Sequence, residues 1–124
     1  MSFPTDIALD DLSPSTFVYS QISLENSKSV RADATRGMAE PRTLVISHST
    51  TGSGLKAVDR HLIRLNDVKE DTGSDDIATL AGSAYIVIEK PRRIITDAQV
   101  TSMVEQLIDF CTAANLVKVL NGEP

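Results

Sequence analysis

The stretch Ala84–Pro124, AYIVIEKPRRIITDAQVTSMVEQLIDFCTAANLVKVLNGEP, decides how the rest of this 124-residue sequence is read. It opens as an apolar, β-branched strand and meets Pro91, which has no N–H for a ladder. Thr96-Asp97-Ala98-Gln99 then has the form of a capping box, with Ile95 and Val100 at the staple positions on either side. Val100, Met103, Val104, Leu107, Ile108 and Cys111 recur at steps of three and four, which makes one apolar helical face. Asp97, Thr101, Ser102, Glu105, Gln106 and Asp109 take the wet side. Asn115 is expected to interrupt this helix. Leu116, Val117, Val119 and Leu120 then form a second short helical piece that ends near Asn121-Gly122.

Upstream of this stretch the pattern is that of strands. Asp6 to Leu9 is a short extended piece. STFVYSQISLE (15–25) alternates Phe17, Tyr19 and Gln21 against Val18, Ser20 and Ile22. KSVRADA (28–34) is a weaker strand around Val30. RTLVISHST (42–50) is a strong one that stops at the turn cluster Thr51-Gly52-Ser53-Gly54. LKAVDRHLIRLNDV (55–68) is the next, and SAYIVIEK (83–90) the last. Between them lies the acidic, glycine-bearing run KEDTGSDDIATLAG (69–82), so residues 68–80 are expected to form a long exposed loop. Strands followed by helices give the α+β class, as one domain: 1–95 for the sheet and 96–121 for the helices. Two short helices cover only part of an open sheet, which leaves room for an intermolecular partner.

Composition narrows the function. No apolar run reaches eighteen residues, so no transmembrane helix is expected. The N-terminal residues lack the basic and apolar regions of a signal peptide. A single cysteine, Cys111, excludes an intramolecular disulfide framework and suits a reducing compartment. The net charge of −5 hides an asymmetry. Residues 28–64 hold seven bases (Lys28, Arg31, Arg36, Arg42, Lys56, Arg60, Arg64) against three acids, and both flanking segments are acidic. A basic face on an acidic protein is therefore possible.

Chemistry-bearing patterns are absent. Cys111 with His48 or His61 would be the one nucleophile–base pairing, but Cys111 falls on the apolar helix face, where a thiol acts as a small hydrophobe. Two histidines without paired cysteines do not make a zinc motif. The glycines of Gly52-Ser53-Gly54 are followed by neither Lys-Ser/Thr nor a helix, so they are no phosphate loop. No catalytic residue, metal site or cofactor is expected.

The C-terminal passage, a strand, a proline, a short linker, Thr-Asp and an amphipathic helix, resembles the C-terminal part of coat proteins of levivirus-type single-stranded RNA bacteriophages. The preceding order of elements is similar over nearly the full chain. The resemblance implies an N-terminal hairpin, an antiparallel meander sheet and two helices, in an interlocked homodimer with one continuous sheet. It implies that Val100, Met103, Val104, Leu107 and Ile108 pack mainly against the partner, with its Ile86 and Ile88. It further implies an icosahedral shell, packaged single-stranded RNA on the other sheet face, and in several members a hairpin whose binding represses translation. Location in the virion, after synthesis in the bacterial cytoplasm, goes with it.

Alternation then assigns faces. Ala84, Ile86 and Ile88 suit the helix side, which puts Tyr85 and Glu89 on the RNA side. Leu44 and Ile46 inward put Thr43, Ser47 and Ser49 outward. The next strand offers Lys56, Arg60 and Arg64 as phosphate contacts. Inward Asp59 and His61 sit awkwardly in this scheme, so a bulge or slipped register there stays open, and a slip would exchange every assignment on the strand. Tyr85 also reads as a cross-strand packing residue, and the arginines as solvated charges. The alternative function is a cellular dimeric α+β RNA-binding or regulatory module.

Overall fold

The computed structural model describes residues 3–11, 13, 15–73 and 78–124. Six strands, β1 (Asp6–Asp10), β2 (Thr16–Leu24), β3 (Lys28–Asp33), β4 (Arg42–Thr51), β5 (Val58–Asp71) and β6 (Ala78–Pro91), precede two helices, α1 (Asp97–Phe110) and α2 (Ala113–Leu120). The strands form one sheet in the order β1-β2-β3-β4-β5-β6, the meander that was expected. β2 pairs β3 through Tyr19–Asp33 and Gln21–Arg31, then shifts register at a bulge between Gln21 and Ser23. β3 pairs β4 through Ser29–Ile46, Arg31–Leu44 and, on the other face, Lys28–Ser47 and Ala32–Thr43.

The chain divides into two compact units, Met1–Ser49 with Arg60–Val87 and Thr50–Asp59 with Ile88–Pro124. In the first, Tyr19, Leu44 and Ile46 are buried. They share their face with an unusual amount of charge. Arg31 is only 2% exposed. It donates to Ser29 Oγ at 2.8 Å and to the carbonyls of Pro4 (2.8 and 3.2 Å) and Thr5 (3.2 Å), which ties down the segment ahead of β1. A buried guanidinium is tolerable because its donors are satisfied. Asp67 ties β5 to β4 and to the segment that precedes β4. Its carboxylate accepts from Arg36 Nη2 at 2.8 Å and Arg42 Nη2 at 2.9 Å. The Arg42 guanidinium also lies 4.8 Å from the centroid of the Phe17 ring, a cation–π distance. Leu9, Phe17, Tyr19, Arg42, Leu65 and Ala84 line an apolar groove of about 390 Å³ on this face.

In the second unit, Gly54–Lys56 is a single 3₁₀ turn. Ala57 after it is buried, and its carbonyl accepts the N–H of Arg92 at 3.1 Å. Asp59 receives Thr50 Oγ1 at 2.9 Å and the Arg92 guanidinium at 3.0–3.1 Å. Ile94 joins the strand end to the helices with φ +77°, and the N–H of Ile95 bonds the Arg93 carbonyl at 2.9 Å. That is a γ-turn of the rarer, positive-φ kind. The capping box is present: Gln99 N–H donates to Thr96 Oγ1 at 3.2 Å, and Thr96 N–H to Gln99 Oε1 at 2.9 Å. α2 ends in a Schellman motif, with Gly122 at φ +78° and the N–H groups of Gly122 and Glu123 on the carbonyls of Val119 and Lys118.

Several expectations need correction. The exposed loop is not the whole of residues 68–80: β5 runs to Asp71 and β6 begins at Ala78, and residues 74–77 lie outside the described ones. Charged residues such as Lys69, Glu70 and Asp71 read as loop because that arm of the sheet has two solvated faces. Lys56 is not on β5 but in the 3₁₀ turn before it. The helix breaks at Cys111-Thr112, where Thr112 caps α2, and not at Asn115, which sits in α2 and bonds the Phe110 carbonyl at 2.7 Å. Cys111 is exposed. No register slip occurs on β5: His61 meets His48, and Asp59 meets Thr50 and Arg92. Polar partners, not a bulge, resolve the awkward positions.

Candidate functional site

The sheet face opposite the groove carries the candidate residues of the first unit. Directly opposed residues of an antiparallel pair share a face, so Thr43 stands beside Ala32 and Ser47 beside Lys28. Asn66 extends this face to β5. Its Nδ2 donates to Thr43 Oγ1 at 3.4 Å, and its Oδ1 accepts from Arg64 Nε at 2.7 Å. The Arg64 guanidinium in turn lies 5.8 Å from the centroid of the Tyr85 ring on β6. Thr43, Asn66, Arg64 and Tyr85 are thus linked across three neighbouring strands. Tyr85 is 61% exposed. Alternation along β4 and β5 adds Ser49 and Arg60 to the same face.

This surface can do two things chemically. An exposed aromatic ring offers a face on which an unpaired base stacks. Lys28, Arg60 and Arg64 offer cations for phosphate. Lys28 and Asn66 were missing from the sequence-based set. Lys28 is on the weak strand, and only its pairing with Ser47 reveals its face. Asn66 is neutral and belongs to no motif. Lys56 and Glu89, from the same set, belong to the second unit and are exposed there.

The helices present the other candidate surface. Val100 is buried by the chain itself and Val104 is half-buried. Met103, Leu107 and Ile108 are exposed, Leu107 by 60%. Phe110, Val117, Val119 and Leu120 are exposed as well. An apolar stripe of this extent on a described surface is the signature of an interaction face. No helix is long and apolar enough to cross a membrane, and no group of three or more metal-ligating side chains occurs among the described residues.

No known protein-family model and no curated protein matches the sequence. Solved structures do match. The virus-like particle of Beihai levi-like virus 21 aligns over 99% of this chain and 98% of its own, with a TM-score of 0.73 at 10% identity. The coat protein of bacteriophage EMS014 aligns over 90% and 76%, with a TM-score of 0.67 at 18% identity. The chain spans 64% of the subunit in the virus-like particle of bacteriophage AVE015, over 73% of its own length, with a TM-score of 0.55 at 15% identity. The fold of this chain is that of levi-like phage coat proteins.

Proposed function

We infer that this chain is a capsid subunit, which dimerises, assembles into an icosahedral shell and packages single-stranded RNA. The observation that carries this reading is the apolar stripe of α1 and α2, which the chain's own fold leaves exposed. In the proposed dimer each stripe lies on the partner's sheet, against the groove lined by Phe17, Tyr19 and Leu65 and against Ile86 and Ile88. The two sheets continue into one through their β6 edges, which also removes an open edge. Thr43, Ser47, Ser49, Lys28, Arg60, Arg64, Asn66 and Tyr85 then face the enclosed RNA. The cations neutralise phosphate without regard to sequence, and Tyr85 supplies stacking. Binding of a particular hairpin as a translational repressor would use this same face. The mechanism is assembly; no catalytic step is involved.

Electron microscopy of the protein expressed in bacteria tests the reading, with absorbance at 260 and 280 nm after nuclease treatment. Uniform closed shells holding protected nucleic acid are expected. A small dimer that binds RNA but forms no particle at any salt concentration would replace the capsid reading with that of a dimeric RNA-binding module.

A further inference from the structure

Ile94 is out of place twice. Its φ of +77° is a conformation that a β-branched residue adopts only under strain. Its side chain is 96% exposed, so no packing within the chain offsets that cost. Strain of this kind persists where function holds it. The turn does not stand alone. The N–H of Arg92 bonds the Ala57 carbonyl at 3.1 Å, which sets this turn beside the 3₁₀ turn that precedes β5. Leu55 on the 3₁₀ turn is 73% exposed. Each of the two aliphatic side chains has a cation next to it in sequence, Lys56 after Leu55 and Arg93 before Ile94. Arg92 is held by Asp59 at 3.0–3.1 Å. Lys56 and Arg93 are exposed, and neither has an acidic partner among the described residues.

The arm made by the end of β5 and the start of β6 has the opposite chemistry. Glu70 and Asp71 are exposed, and no base among the described residues forms an ion pair with either. Leu80 on β6 is 61% exposed and lines a shallow cleft of about 310 Å³ with Asp67, Lys69, Ala81 and Gly82. Two acids beside an exposed leucine complement two bases beside exposed aliphatics. We propose that the Leu55–Ile94 corner of one copy docks on the β5–β6 arm of another, with Ile94 against Leu80 and with Lys56 and Arg93 toward Glu70 and Asp71. This rests on the capsid reading and names the contact by which dimers join one another. The two surfaces differ, so the contact is head-to-tail and passes from copy to copy until a ring closes. Exposed ion pairs are individually weak and salt-sensitive. That suits a contact which gains strength by repetition around a shell.

The test follows the full-length protein by light scattering and electron microscopy as its concentration rises, with gel filtration of the unassembled subunits. Changing Lys56 and Arg93 together to Glu should leave dimers intact and raise the concentration threshold for shells at least about tenfold, since like charges then meet. Adding Glu70→Lys and Asp71→Lys to the same chain should bring the threshold back to within about threefold of the unaltered protein, a rescue that a folding defect would not show. Ile94→Gly should raise the threshold about threefold through the lost aliphatic contact, although it relieves strain and raises the thermal midpoint. If the unaltered protein forms shells and the Lys56/Arg93 variant assembles within about twofold of it, the proposed contact is overturned and the capsid reading stands. A fourfold variant that dimerises but recovers no assembly has the same meaning. Dimers of the unaltered protein that never form shells would overturn the capsid reading and this contact with it.

Discussion

At the scale of single residues, Asp67 is the most informative. The Arg42 guanidinium beside it, then Arg36, hold its carboxyl below the usual range against a smaller opposing effect of burial. A depressed folded-state pKa adds stability above the ordinary aspartate value of about 3.9, and this is lost as pH falls through the folded value. Asp67→Asn should therefore lower the unfolding free energy read from urea titration at pH 7, by no more than about 1 kcal/mol for each partly exposed pair. It should also flatten the fall in stability below about pH 4 relative to the parent protein. An acid dependence identical in both proteins would show that Asp33 and Asp11, also depressed by their local hydrogen bonds, carry it instead. Ile94 is the second case. It is 96% exposed, so nothing is lost by removing its side chain, and its positive φ is strained for a β-branched residue. Ile94→Gly should stabilise the chain by about 1 kcal/mol, strain relief outweighing the added backbone freedom of glycine. A thermal midpoint at or below that of the parent would contradict this.

Among the elements, α1 was the most legible in the sequence and β5 the least. A capping box and a three–four periodicity are local patterns, and Thr96, Gln99, Val100 and Leu107 stand where they place them. The sheet's two faces were also legible, because Leu44 and Ile46 alternate with Thr43, Val45 and Ser47 on a strand buried on one side. What local pattern does not contain is pairing. That Lys28 opposes Ser47, that Asn66 bridges Thr43 and Arg64, and that His48 meets His61 all depend on which residue lies across the ladder, and the bulge at Gln21/Ser23 shifts part of it. Lys69-Glu70-Asp71 failed for a different reason: polarity on both sides of a strand cancels the alternation that marks one. The helices bear a prediction of their own. Leu107 is exposed within its chain, so Leu107→Asp costs the isolated fold little but puts a carboxylate into the proposed dimer core. Gel filtration should then give no soluble dimer. A dimer of unchanged mobility would place the subunit contact elsewhere.

For the whole molecule, the charge distribution has a consequence that salt can read. A chain of net charge −5 holds RNA only if its cations gather on the enclosed face. Each phosphate contact with a single strand contributes about −0.7 to the slope of log affinity against log salt. Changing Lys28, Arg60 and Arg64 together to Gln should reduce that slope by about two for each subunit engaged and lower the 260 nm absorbance of purified particles. Unchanged slope and content would move the RNA to another surface. The strand order matters in another way. Every strand lies beside its neighbour in sequence, so the sheet can grow hairpin by hairpin as the chain is synthesised, with little entropy spent on closing long loops. The apolar stripe follows the sheet in chain order and leaves the ribosome after it. If the stripe is the dimer surface proposed above, a nascent subunit has its sheet in place before it has anything adhesive to offer, and pairing is timed to the end of translation by chain order alone.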